Sequence, residues 1–166
     1  MAIHRAAIDG LKGSIVPSAT ILIVDDEPGI VDIVRVNLLA EGYAVAGAST
    51  GKEALAKVRA EAPDLIILDV MLPDISGWQL LEVLEGSTST AGIPVIILTA
   101  RASDEDMLHG LEHGAVEYIT KPFYPEDLVA SVKIILDVFD PSLRQDYRHQ
   151  LIAKRKRLMS GLGRQS

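Results

Sequence analysis

Five short runs of aliphatic residues punctuate the chain. The strongest are Thr20-Ile21-Leu22-Ile23-Val24, Leu65-Ile66-Ile67-Leu68 and Val95-Ile96-Ile97-Leu98. Residues Tyr43–Ala48 and Ala115–Ile119 are weaker versions. Each run is too short for a helix, and the strong ones are rich in β-branched residues. A strand covered on both faces has this pattern. Between the runs, apolar residues recur at helical spacing. Ile30, Ile33, Val34 and Leu38 form one stripe, and Ala54, Leu55 and Val58 a second. Leu80, Leu81 and Leu84 form a third, Met107, Leu108 and Leu111 a fourth, and Leu128, Val132 and Ile135 a fifth. Strands alternating with helices predict βαβ crossovers and a parallel sheet with helices on both faces. The predicted fold is therefore α/β, a doubly wound five-stranded parallel sheet over residues 20–139.

The two ends differ from this body. Residues 1–19 mix Gly, Pro and Ser with a few apolar residues and are expected to be a flexible leader. Asp140-Pro141 interrupts the helical pattern, and Ser142-Leu143-Arg144-Gln145 has the form of a capping box opening a new helix. Leu143, Tyr147, Leu151 and Leu158 fall roughly on one stripe, and Gly161 and Gly163 would end the helix. Residues 140–166 are thus expected to form a basic helical tail or linker. Its stripe is expected to pair with a second copy through residues 142–160, giving a homodimer, in preference to lying on its own body.

Charge sharpens the division. Residues 21–140 hold 21 acidic against 7 basic residues, a net charge of −14. Residues 141–166 hold 7 basic residues against Asp146, a net charge of +6. The acidic body excludes a broad nucleic-acid face, and only the tail, with Lys154-Arg155-Lys156-Arg157, offers basic surface for one. The 166 residues contain no cysteine, which excludes disulfides, thiol catalysis and cysteine-ligated metals. No apolar run approaches the roughly 18 residues of a membrane span. The opening Met1-Ala2-Ile3-His4-Arg5 leads into no apolar signal segment. A cytoplasmic location is expected.

In an open parallel sheet, function sits beyond the carboxyl ends of the strands. Asp25, Asp26 and Glu27 follow the first strand. Asp69 follows the third, with Met71-Leu72-Pro73-Asp74 and Gly77 behind it. Thr99 ends the fourth, and Lys121-Pro122 follows the fifth. Each has a structural explanation by itself. Asp26 before Pro28 could cap a helix, Asp69 could form a turn, Thr99 could simply end a strand, and Lys121 could be a solvated loop residue. Together they place carboxylates, a hydroxyl and an ammonium at one end of the sheet. Clustered carboxylates raise one another's pKa and call for a cation, and Mg²⁺ suits all-oxygen ligation. An aspartate can attack phosphorus, while a metal and a lysine neutralise the transferring group.

Four motifs then resemble one family, the receiver domain of bacterial two-component response regulators. They are Ile21-Leu22-Ile23-Val24-Asp25-Asp26-Glu27-Pro28; Pro63-Asp64-Leu65-Ile66-Ile67-Leu68-Asp69 with Met71-Leu72-Pro73-Asp74-Ile75-Ser76-Gly77; Pro94-Val95-Ile96-Ile97-Leu98-Thr99-Ala100; and Gly114-Ala115 with Tyr118-Ile119-Thr120-Lys121-Pro122-Phe123. The resemblance covers about residues 20–138. It implies strand order 2-1-3-4-5 and a phosphoryl group accepted on Asp69 from a histidine kinase or phosphotransfer protein. It implies Mg²⁺ bound directly by Asp26, at least through water by Asp25, and by Asp69 and the backbone carbonyl of Met71. Thr99 would hydrogen-bond the phosphoryl group, Lys121 would pair with it through a loop that usually holds a cis Lys121–Pro122 bond, and Tyr118 would be the aromatic switch. The signal would leave through helix 4, strand 5 and helix 5, with no enzyme activity beyond self-phosphorylation and autodephosphorylation.

Met107, Val116 and Ser131 stand where receivers attached to winged-helix domains carry salt-bridging charges, which puts that subfamily's dimer in doubt. Arg101 and Met71, two residues after Thr99 and Asp69, flank the site, a bulky pair suited to slow loss of phosphate. An aspartyl-phosphate hydrolase is the alternative enzyme. It would want a second aspartate two residues after Asp69, where Met71 stands. A degenerate, phosphorylation-independent receiver is a second alternative, opposed by the intact set of polar residues. His109 and His113 have zinc-compatible spacing but no third ligand, and are expected to be surface histidines. Gly51-Lys52 lacks the glycine-rich approach of a phosphate loop. Trp78 is expected on the surface of helix 3.

Overall fold

A computed structural model describes residues 19–137 and 141–162. The elements are β1 (Thr20–Val24), α1 (Pro28–Ala40), β2 (Ala44–Ala48), α2 (Gly51–Glu61), β3 (Leu65–Leu68), α3 (Gly77–Glu85), β4 (Val95–Thr99), α4 (Asp104–Glu112), β5 (Glu117–Thr120), α5 (Pro125–Asp137) and α6 (Pro141–Leu162). The five strands form one parallel sheet in the order β2-β1-β3-β4-β5. Ile23 lies beside Ile67, and Ile67 beside Ile96, so the aliphatic runs stack in register across the sheet.

Strand side chains alternate between two covered faces. Leu22, Val24, Ile66, Leu68, Val95 and Ile97 pack with Ala54 and Val58 of α2 and Leu80, Leu81 and Leu84 of α3. Ile21, Ile23, Leu65, Ile67, Ile96 and Leu98 pack with Val34 and Leu38 of α1 and Leu128, Val132 and Ile135 of α5. Burial on both faces is why these strands are continuous aliphatic runs. One stripe residue departs from its expected place. Ile33 is 45% exposed, because α1 turns Val34 and Leu38 fully inward with Ile30 and Val31 beside them, leaving Ile33 off the contact line.

Local hydrogen bonds set the helix starts. Thr50 caps α2 by accepting from the Glu53 N–H, Ser103 caps α4 by accepting from Asp106, and Ser76 with Gln79 forms a reciprocal capping box on α3. β5 begins two residues later than its apolar run. The Ala115 N–H still closes α4 on the Gly110 carbonyl, so the chain joins the sheet only afterwards. At the outer strand β2, the Lys57 ammonium donates to the Gly47 carbonyl.

The tail forms the helix α6, which continues through Gly161. Its last described residue is Leu162, between the two glycines expected to end it. Residues 1–18 of the expected leader, the Ser142 capping box, and the side chains of Leu143, Tyr147 and Leu151 lie outside the described residues. Where side chains are described, α6 lies against α4 of its own chain. Arg155 pairs with Asp104 at 2.8 Å and Lys156 with Glu112 at 2.9 Å. Within one chain the tail therefore rests on its own body, the alternative to pairing with a second copy. The expected stripe is corrected: Leu158 is 51% exposed, whereas Ile152, Arg155 and Met159 are half-buried. The face turned to the body thus combines two apolar residues with cations that pair with the acidic helix. No helix among the described residues is long and apolar enough to cross a membrane.

Candidate functional site

The buried polar or charged side chains among the described residues are Asp25, Asp69 and Thr99, and all three stand at the carboxyl end of the sheet. Backbone bonds continue the strand ladders to hold them there. The Asp25 N–H donates to Ala48 O at 3.0 Å, and the Asp69 N–H to Val24 O at 2.9 Å. The Lys121 N–H donates to Thr99 O at 2.8 Å, just before a cis Lys121–Pro122 bond. At Gly77 a β-carbon would meet the Val70 backbone and the Asp69 carbonyl, so only glycine lets α3 begin this close to Asp69.

Lys121 is the centre of the cluster. Its ammonium lies 2.7 Å from Asp25 Oδ2, 2.8 Å from Asp69 Oδ2 and 3.0 Å from Glu27 Oε1. Burial works against its charge, but the hydrogen bonds to Asp25, Asp69 and Glu27 outweigh it and raise its pKa. Burial also raises the pKa of Asp25, opposed by the Lys121 hydrogen bond and by the Glu27 N–H donated to Oδ1 at 2.9 Å. The other oxygen of Asp69, Oδ1, accepts the Met71 N–H at 2.9 Å. The Met71 side chain stands 55% exposed at the rim.

The charges leave room for a metal. Asp25, Glu27 and Asp69 present carboxylate oxygens within 4.8 Å of one another. With all three ionised, one ammonium leaves a charge of −2, which a divalent cation would balance. The donors are all oxygen, the preference of a hard cation such as Mg²⁺, so the residues fit that ion. Asp26 is outside this trio. It is exposed and lines a neighbouring cavity of about 240 Å³ with Asp32, Arg35, Ser49 and Glu53. Nor does it cap α1: Glu27 holds that position with Pro28 next, and no side chain caps the helix. The sequence does not single out Glu27 as a cluster member. Its one signal there is its place as the third acid of Asp25-Asp26-Glu27.

Two further features frame the cluster. Asp74 accepts from the Gly51 N–H at 2.8 Å and the Lys52 N–H at 3.0 Å. These bonds at the start of α2 pull its pKa down to about 2 and tie the loop after β3 in place. On the other side, Thr99 Oγ1 accepts from the Arg101 N–H at 3.4 Å, and the Tyr118 hydroxyl donates to the Arg101 carbonyl at 2.7 Å. Burial, with help from Asp106, pushes the Tyr118 pKa up to about 12. The Tyr118 ring lies where a β-carbon on Gly110 of α4 would sit at 3.0 Å from it.

His109 and His113 are exposed, as expected of surface histidines, and they contact one another. The rings of His109 and His113 stack at 4.0 Å, and His109 meets the edge of half-buried Trp78 at 4.6 Å. His113 Nδ1 is 2.8 Å from the His109 carbonyl. No third metal ligand joins them among the described residues.

Comparison with known proteins agrees with this geometry. Residues 21–133 match the response regulator receiver domain. The chain is 47% identical over 116 residues to the alkaline phosphatase synthesis transcriptional regulatory protein PhoP of Bacillus subtilis, covering 70% of this chain and 48% of that protein. It is 45% identical over 117 residues to the phosphate regulon transcriptional regulatory protein PhoB of Pseudomonas aeruginosa, covering 70% and 51%. It spans about half the length of these curated relatives. A solved CheY-like receiver domain protein of Methanospirillum hungatei is 40% identical, with a TM-score of 0.67, over 72% of this chain and 94% of that one. Fold, site and similarity converge: the chain belongs to the response regulator receiver family and carries a receiver domain of two-component signalling.

Proposed function

We propose that Asp69 is the phospho-acceptor of a Mg²⁺-dependent signalling switch, served by a histidine kinase or a phosphotransfer protein. One observation carries this reading. The buried Asp69 carboxylate is held by a backbone N–H on one oxygen and by the Lys121 ammonium on the other, inside a carboxylate cluster. In the transfer, an Asp69 oxygen forms a bond to phosphorus as the P–N bond of a phosphohistidine breaks. The electron pair of the P–N bond stays on the departing imidazole nitrogen, which takes a proton from water. A bound Mg²⁺ would supply neutralisation of the transferring phosphoryl oxygens, held by Asp25, Asp26, Asp69 and the Met71 carbonyl with Glu27 close by. Lys121 pairs with the new phosphate, and Thr99 turns its hydroxyl to it.

The switch leaves through α4, β5 and α5. Phosphate adds charge and acceptor oxygens, so Thr99 moves inward, its contact with Arg101 loosens, and Tyr118 follows. The receiver occupies residues 20–139 and acts in the cytoplasm. Met71 stands where a phosphatase or mutase would need an acid, so turnover is confined to self-phosphorylation and slow loss of phosphate. Acetyl phosphate with Mg²⁺ is expected to add one phosphoryl group to the wild type and none to Asp69→Ala, read by intact mass. Equal labelling of the alanine variant would sink the assignment. Labelling should also vanish with EDTA.

A further inference from the structure

We infer that α6 is a built-in occupant of α4 that phosphorylation of Asp69 releases. The inference rests on the phospho-acceptor reading above and concerns the tail, which that reading leaves without a role. Two opposite sides of α4 carry the observations. On one, Asp104 and Glu112, at the first and last residues of the helix, pair with Arg155 and Lys156 of α6. Half-buried Ile152, Arg155 and Met159 recur at intervals of three and four, the face α6 turns to the body. On the other side, buried Gly110 receives the Tyr118 ring.

A continuous set of contacts joins that second side to the site. Lys121 binds Asp69 and, through its backbone, Thr99. Thr99 accepts from Arg101, whose carbonyl accepts from Tyr118 and whose guanidinium pairs with Asp106 of α4 at 3.1 Å. Arg101 thus holds both the switch tyrosine and the first turn of α4. Moving Thr99 and Tyr118 frees the Arg101 carbonyl and shifts the start of α4, where Asp104 stands. The clamp on the far side needs both ends of α4 in register with two adjacent cations. Its ion pairs are partly solvent-exposed, which makes them weak and easily exchanged for water. A small displacement of Asp104 is therefore enough to let α6 go, uncovering Asp104 and Glu112 for a partner.

Hydrogen exchange of the full chain, with intact mass taken on the same sample, tests this. Without phosphate, residues 149–162 should exchange severalfold more slowly in the wild type than in the double variant Arg155→Glu/Lys156→Glu. Acetyl phosphate and Mg²⁺ should bring the wild type to the variant's rate, and leave Asp69→Ala unchanged. The charge-swapped pair Asp104→Arg/Arg155→Asp should regain the protection that Asp104→Arg alone loses. A phosphorylated wild type whose tail stays protected overturns release while leaving the phospho-acceptor reading intact. Equal exchange in the unphosphorylated wild type and the double variant overturns docking. A wild type that takes no label removes the phospho-acceptor reading, and release with it.

Discussion

Lys121 balances a site that would otherwise hold three carboxylates with no ammonium among them. Replacing it with methionine leaves Asp25 and Asp69 buried without their counter-ion, and removing one partner of a buried pair typically costs about 3–5 kcal/mol. Lys121→Met is therefore expected to lower the urea midpoint strongly in EDTA. Saturating Mg²⁺ should restore part of it, since a ligand that binds only the folded state stabilises it. A variant equally stable with and without Mg²⁺ would contradict the charge balance described above. His109 gives a second test at this scale. Burial and the neighbouring His113 hold its pKa below the usual 6.5, opposed by Asp106 and Glu112 and aided by Arg101. The unfolded chain thus binds the proton at a higher pH than the folded one, and stability falls as pH drops through 6.5. Urea midpoints at pH 5 and pH 7.5 should differ by less in His109→Gln than in the wild type. At the residue scale the sequence was informative where chemistry and strand position coincide, as at Asp25, Asp69, Thr99 and Lys121. It was silent on Glu27 against Asp26, because neighbouring acids in a loop are separated only by the backbone turn that carries them.

The helices divide by how they are held. α3 is fixed by Leu80, Leu81 and Leu84 in the core and by the close approach of Gly77 to Asp69. Gly77→Ala must push α3 off the end of β3. Overpacking of this kind costs about 1–3 kcal/mol. The variant should unfold at lower urea and take up phosphate more slowly, because the loop carrying Met71 moves with the helix. Wild-type labelling rates would argue that the close approach does not matter to the site. α6 is held differently, through exposed ion pairs worth roughly 0–1 kcal/mol each. Raising the salt concentration should therefore speed hydrogen exchange in residues 149–162 while leaving the core helices unchanged. The core elements were legible because burial imposes a period on the sequence. The resting place of α6 was not, because its apolar positions suggested one face and its charges another, and which wins depends on the partner surface. That surface exists only once α4 is folded with Asp104 and Glu112 turned outward.

At the scale of the whole molecule, a body of net charge −14 carries a tail of +6, and the two attract within one chain. A tail docked on its own body predicts a monomer before phosphorylation. Sedimentation of the unphosphorylated chain at tens of micromolar should give a monomer, as should a chain ending at Asp137. A dimer lost on that truncation would favour pairing between tails. The sheet has one further consequence. Its order leaves β2 and β5 with one neighbour each, and unpaired strands of this kind invite other chains to add on. β5 is only four residues long and begins with Glu117. β2 is small and apolar, Ala-Val-Ala-Gly-Ala, the composition least able to repel a newcomer. Its Gly47 carbonyl, however, is already taken by the Lys57 ammonium, and Arg35 lies over the same glycine. A strand docking across Gly47 would have to displace that cation. Lys57 thus blunts this stretch of the edge, as charged side chains do on natural sheets, and Lys57→Ala is expected to raise light scattering in the concentrated protein.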